Sequence, residues 1–160
     1  MEERLEIRLG ELLRRRGWTL AVAESCTGGL LADRITDAPG SSEYFLGGVV
    51  AYANAVKRGL LGVSSETLEQ FGAVSREAVI EMARGVQRAL GANLALSVSG
   101  IAGPSGGTPQ KPVGTVWIGL ATPHGEHARL FHWQGDRRAN KEQSVQAALQ
   151  MAITFLQETN

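Results

Sequence analysis

The sequence contains a single cysteine, Cys26, which excludes an intramolecular disulfide and a four-cysteine zinc site. A lone thiol suits a reducing compartment, so a cytoplasmic setting is expected. Charge of one sign is also missing: 16 Lys and Arg face 16 Asp and Glu, for a net charge of zero. Proteins that neutralise nucleic-acid phosphates carry a basic surplus, so nucleic acid is not an expected partner. Long apolar runs are absent, none approaching the roughly 18 residues that a membrane helix requires. The charged opening Met1-Glu-Glu-Arg-Leu-Glu-Ile-Arg has no signal-peptide core, and no membrane association is expected. Histidine is scarce. His127 and His132 fall on opposite faces of an extended segment, and with His124 they lack a cysteine to complete a site, so no metal is expected. Neither a P-loop spacing nor a Gly-x-Gly-x-x-Gly after a strand occurs, which leaves ATP and dinucleotides without support.

What the chain does have is ordinary globular composition, 43% hydrophobic and 20% charged, and a length that reads as one domain over residues 1–160 at roughly 100–200 residues per domain. Glycine is the exception, at 20 residues, and suggests backbone that approaches something closely. Leu5, Leu9, Leu12 and Leu13 recur at helical spacing from about residue 2 to Arg16, with Gly17 as a terminator. Residues 18–23 read as a buried strand, followed by the loop Glu24-Ser-Cys-Thr-Gly-Gly29 and a helix from Leu30. Residues 44–52 form a second strand, and Asn54 is placed to cap a short helix bearing Lys57, Leu60 and Leu61. Ser64 or Ser65 opens another helix; Ser75 caps a longer one with Val79, Met82, Ala83, Val86 and Leu90 inward. Leu94 to Val98 is a third strand running into the glycine-rich loop 99–107. Residues 113–122 and 128–133 pair as an antiparallel hairpin, and Asp136 caps a final helix with a stripe of Val145, Ala148, Leu149, Ala152, Ile153 and Leu156. The pattern predicts an α/β fold, a three-layer α/β/α domain with a mixed sheet of about five strands.

In such a sheet the ligand crevice lies beyond the strand C-terminal ends, where residues 24–29, 52–57 and 99–107 converge. Ser25, between a strand and a helix, is either an activated nucleophile near backbone N–H groups or, with Thr27, a helix cap. Lys57 either reaches back over the crevice as a base, with Tyr52 relaying or orienting the proton, or is solvated. Ser99 to Gly107 either presents N–H groups to a phosphate or carbonyl or is a plain loop. Cys26 is a thiol nucleophile or a small buried apolar residue. Arg137 and Arg138, at a helix start, can grip a phosphate if they face the crevice.

Glu24-Ser-Cys-Thr-Gly-Gly29, Gly40-Ser-Ser42, Tyr52-Ala-Asn-Ala-Val-Lys57, Gly72-Ala-Val-Ser75, Ser99-Gly-Ile-Ala-Gly-Pro104, Lys111-Pro-Val-Gly-Thr-Val-Trp117 and Gly135-Asp-Arg137 occur in this order along the chain. Together they resemble the CinA C-terminal domain family, whose stand-alone members are nicotinamide-nucleotide amidohydrolases. The resemblance implies hydrolysis of nicotinamide mononucleotide to nicotinic acid mononucleotide and ammonia, with no cofactor and no metal. By position it implies Ser25 as nucleophile, Lys57 as general base and Tyr52 in their proton network. It further implies Gly28, Gly29, Ser42, Asn54, Ser99, Gly100 and Arg137 as substrate-binding positions. The expected partners are a small nucleotide and a second copy of the chain, closed dimers being common among small enzymes.

Overall fold

The structure, a computed structural model, describes residues 3–159. Helix α1 (Leu5–Arg16) ends at Gly17, which takes the left-handed φ of 66° that a helix-terminating glycine supplies. Strand β1 (Leu20–Glu24) follows, then α2 (Leu30–Thr36), a 3-10 turn (Ser41–Glu43), β2 (Phe45–Val50), α3 (Asn54–Leu61), α4 (Ser65–Gln70) and α5 (Arg76–Leu90). The chain then forms β3 (Leu94–Gly100), β4 (Thr115–Thr122), β5 (Gly125–His132) and α6 (Arg137–Glu158). The sheet order is β2-β1-β3-β4-β5. β1 pairs parallel with β2 and β3, while β3–β4 and β4–β5 are antiparallel, so the sheet is mixed.

Alternation along the inner strands explains the layers. In β1, Leu20 and Val22 face α1, α2 and α6, whose Leu9, Leu13, Leu31, Ile35, Leu149 and Ile153 complete one core. Ala21 and Ala23 point the other way and, with Ala95 and Ala121, meet Val79, Met82, Ala83 and Val86 of α5. Both faces are covered, which is why β1 reads as an unbroken apolar run. The small side chains on the second face let α5 approach closely, and α3 in turn lies on α5 at Gly85. A Cβ on Gly85 would stand 1.9 Å from Leu61 O, a backbone contact that cannot yield by a rotamer change, so the seat of α3 depends on this glycine.

Three expectations differ in detail. The first helix begins at Leu5, and residue 2 lies outside the described residues. Asn54 is not a cap: Ala53 occupies the N-cap position with no side-chain hydrogen bond, and Asn54 is the exposed first helical residue. Leu90 is exposed rather than inward, because α5 ends there and Gly91 turns the chain away. By contrast Ser64, Ser75 and Asp136 each accept a first-turn N–H from Thr67, Ala78 and Ala139.

Tyr44 carries an unmet cost. Its side chain is 2% exposed and its hydroxyl has no hydrogen-bond partner among the described residues, in a space left free by Gly10. An orphaned buried hydroxyl costs about 1–3 kcal/mol. Tyr44→Phe is therefore expected to stabilise the protein by about 1 kcal/mol, seen as a melting temperature raised by roughly 2–4 °C; a lowered value would show that the hydroxyl is satisfied in solution.

Candidate active site

The parallel strands β1, β2 and β3 end together at Glu24, Val50 and Gly100, and the chain segments that leave them form the site. Ser25 extends the β1 ladder by one residue, its N–H donating to Val98 O at 2.9 Å. This bond fixes Ser25 alongside Ser99 and uses up the Ser25 N–H. The Cys26 N–H, in contrast, has no acceptor on another residue among those described.

Lys57 comes from α3 and is 1% exposed. Its Nζ lies 3.0 Å from Ser25 Oγ, 2.8 Å from Ala51 O and 2.9 Å from Tyr52 O. Burial holds its pKa below the ordinary lysine value of 10.5, with the nearby Cys26 pulling weakly the other way. The three contacts have a chemical consequence. The two carbonyls can only accept, so in the neutral amine they take both N–H groups and leave the lone pair for the Ser25 proton. In the ammonium form all three hydrogens find acceptors, the third on Ser25 Oγ. One geometry therefore serves both ends of a proton transfer.

A cavity of about 290 Å3 opens beside this pair, lined by Ser25, Cys26, Tyr52, Arg137 and most of the loop 100–106. The loop is fastened to α6: Arg137 Nη1 donates to Gly103 O at 2.7 Å, and the buried Asn140 donates to Ala102 O at 3.0 Å. Asn140 also accepts from Gly135 N, locking the entry to α6. The larger groove, about 570 Å3, runs between β5 and α6 past Phe131, Trp133, Met151 and Phe155 and holds no paired nucleophile and base.

Several residues sit differently from their sequence-derived roles. Tyr52 meets Lys57 through its main-chain carbonyl, while its phenol, 62% exposed, stands at the cavity wall with its hydroxyl 3.5 Å from Arg137 Nη2. Ser42 precedes β2, at the opposite end of the parallel strands, and is outside the cavity of this chain because the strand length separates it from the site. Asn54 is exposed and does not line the cavity. Ser99 is buried beside Ser25 and Gly100 lines the wall. Gly28 and Gly29, at φ 59° and 105°, form the turn into α2 rather than the cavity surface.

Helix α2 does not offer its N-terminus to a ligand at Ser25. Its first-turn N–H groups, from Leu31 and Ala32, go to the buried Glu24 carboxylate at 2.8 and 3.1 Å, and Thr27 Oγ1 donates to the same group at 2.6 Å. Glu24 thus pins the Ser25 turn. Cys26 is not a reactive thiol: burial first, and the Glu24 charge after it, push the thiol up to about 12, so it stays protonated at neutral pH. Among the described residues no three His, Cys, Asp or Glu side chains are grouped to hold a metal, and no helix is long and apolar enough to cross a membrane. Asn140 is the contributor that sequence reasoning missed, and Glu24 was read only as part of the 24–29 segment, not as the acceptor that pins it. The glycine-rich loop 99–107, which the sequence did place at the crevice, is the element that Asn140 holds.

The α/β sheet thus carries a buried serine–lysine hydrogen bond at the ends of its parallel strands, beside an open cavity. The sequence of the CinA C-terminal domain matches residues 2–156, and the chain belongs to that family. It is 52% identical over 153 residues to a nicotinamide-nucleotide amidohydrolase PncC from Enterobacter agglomerans, covering 93% of this chain and 92% of that protein. It is 51% identical over 148 residues to a CinA-like protein from Desulfotalea psychrophila, covering 92% of this chain but 36% of that longer relative. Among solved structures, a CinA superfamily protein from Klebsiella pneumoniae superposes with a TM-score of 0.94 at 34% identity, covering 99% of this chain and 100% of that one. CihA, a competence/damage inducible protein from Agrobacterium tumefaciens, gives 0.91 at 37% identity, with 99% and 98% covered.

Proposed function

We propose that this chain hydrolyses the carboxamide of nicotinamide mononucleotide, giving nicotinic acid mononucleotide and ammonia, with Ser25 as nucleophile and Lys57 as general base. The observation that carries the reading is the buried 3.0 Å contact between Ser25 Oγ and Lys57 Nζ beside an open cavity. The likeness to a full-length relative named for this activity supports the choice of substrate.

Lys57 takes the Ser25 hydroxyl proton as Oγ bonds to the amide carbon, and the carbonyl oxygen becomes an oxyanion within reach of the Cys26 N–H. Lys57 returns that proton to the departing nitrogen, the C–N bond breaks, and ammonia leaves an acyl ester on Ser25. Water, deprotonated by the same amine, attacks the ester; the acid product departs and Oγ recovers its proton. The exposed ring of Tyr52 offers a face to the cationic pyridinium.

The test is release of ammonia and nicotinic acid mononucleotide from nicotinamide mononucleotide in EDTA, with Ser25→Ala alongside. Wild type is expected to turn over, and the variant to lose at least about 10^3-fold in kcat with unchanged circular dichroism. Full activity in Ser25→Ala would overturn the nucleophile. A wild type that binds the mononucleotide and releases no ammonia would make the chain a binding module.

A further inference from the structure

Three successive carbonyls of the cavity loop are tied to the rest of the protein. Ile101 O accepts from Gly114 N at 2.8 Å, Ala102 O from Asn140 Nδ2 at 3.0 Å, and Gly103 O from Arg137 Nη1 at 2.7 Å. The N–H groups of this stretch are left open. Ala102 and Gly103 are both buried and both line the cavity together with Ser25 and Cys26, yet among the described residues neither N–H has an acceptor. Buried backbone donors are nearly always paired, and for two in succession at a cavity wall the contents of the cavity are the remaining source of an acceptor.

The direction of these donors is set from the other end of each peptide. A trans peptide is planar, with C=O and N–H on opposite sides, so fixing a carbonyl fixes the N–H that follows it. Gly114 thereby sets the Ala102 N–H, and Asn140 sets the Gly103 N–H. Asn140 is itself held firmly. It is 1% exposed, its Oδ1 accepts from Gly135 N at 3.0 Å, and its main-chain carbonyl accepts from Ser144 Oγ at 2.7 Å. Its amide can sit only one way round, because Gly135 N–H needs an oxygen and Ala102 O needs an NH2. Gly103 in turn has to be glycine: its φ is 89°, and a Cβ there would collide with the Val113 side chain.

We propose that the Ala102 and Gly103 N–H groups bind the oxygen of the reacting carboxamide, alongside the Cys26 N–H, and that Asn140 is the positioning residue that aims them. The assignment rests on the amidohydrolase reading and adds to it the donors that receive the charge as it builds up on that oxygen. Donors fixed before the substrate arrives need no reorganisation during the reaction, so their contribution falls mainly on kcat.

Amide hydrogen exchange followed by NMR tests the donors. Saturating nicotinic acid mononucleotide, whose carboxylate replaces the carboxamide, is expected to slow exchange at the Ala102 and Gly103 amides at least tenfold. Ribose 5-phosphate, which lacks that group, is expected to leave both unchanged. No slowing by the mononucleotide, or equal slowing by the two ligands, would overturn the assignment. Asn140→Asp tests the positioning role: its carboxylate still accepts from Gly135 N but meets Ala102 O as acceptor against acceptor. Below its melting range this variant is expected to lose at least tenfold in kcat with a smaller change in KM, and to lose the ligand-induced protection at Gly103. An unchanged kcat with full protection at Gly103 would overturn that role and leave Asn140 a structural residue. If the wild type releases no ammonia, the amidohydrolase reading fails, and the exchange comparison between the two ligands still decides whether these amides bind a carboxyl oxygen.

Discussion

With Lys57 as the proposed base, Lys57→Met is expected to lower kcat/KM by at least about 10^3-fold while the fold survives, and Lys57→Arg to be inactive at every pH. A serine hydroxyl is a weak nucleophile until its proton is taken, and Lys57 Nζ is the group placed to take it. Only the neutral amine can do so. At the ordinary lysine value of 10.5, about one molecule in a thousand would be neutral near pH 7.5, and each unit of lowering raises that fraction tenfold. Burial lowers the Lys57 pKa, so activity is expected to rise with pH at a slope of one and to level off at an inflection below 10.5. An arginine stays protonated throughout and cannot replace it. The same shift fixes the sign for stability. With the folded-state pKa below the unfolded one, the unfolded chain binds more protons between the two values. Lys57's contribution is therefore fully favourable above 10.5 and is lost as pH falls through its lowered folded value. Lys57→Met removes that slope from the stability profile, and a pH–rate curve lacking the inflection in wild type would show that another group is the base.

Those parts of the fold set by local chemistry were legible in the sequence. The capping serines, Asp136 and the α6 stripe follow from short-range rules, and β1 announced its two covered faces by an unbroken apolar run. Convergence of Ser25 and Lys57 was legible as topology, since parallel strands deliver their exits to one edge. What was not legible depends on side-chain direction. Spacing cannot say that Tyr52 turns its phenol outward and its carbonyl toward Lys57, nor that Ser42 falls at the far end of β2. It also cannot show that the helix N-terminus beside Ser25 is already occupied, because Glu24 reads as a polar residue at a strand end until its 1% exposure and three donors are seen.

That occupied helix end leads to the second large effect: Glu24→Ala destabilises the protein by about 3 kcal/mol, with a melting temperature lower by roughly 6–12 °C. Truncation leaves the Leu31 and Ala32 N–H groups and the Thr27 hydroxyl without their shared acceptor, and unpaired buried donors cost more than the net value of the bonds they lose. Glu24→Gln separates charge from shape. Its amide oxygen can still receive two of the three donors, but its NH2 faces the third as donor against donor, so an intermediate loss is expected. Because the carboxylate ties the end of β1 to the start of α2, the turn that carries Ser25 hangs between its two fixed points. Loosening it moves Oγ relative to Lys57 Nζ, and kcat is expected to fall by about 10^2-fold in the alanine variant below its melting range. Glu24 forms no hydrogen bond or ion pair with Lys57, whose hydrogen bonds go to Ser25, Ala51 and Tyr52. The pH inflection set by the lysine is therefore expected to stay in place as kcat drops. An inflection that moves with Glu24→Gln would instead make the carboxylate part of the electrostatics that tune the base.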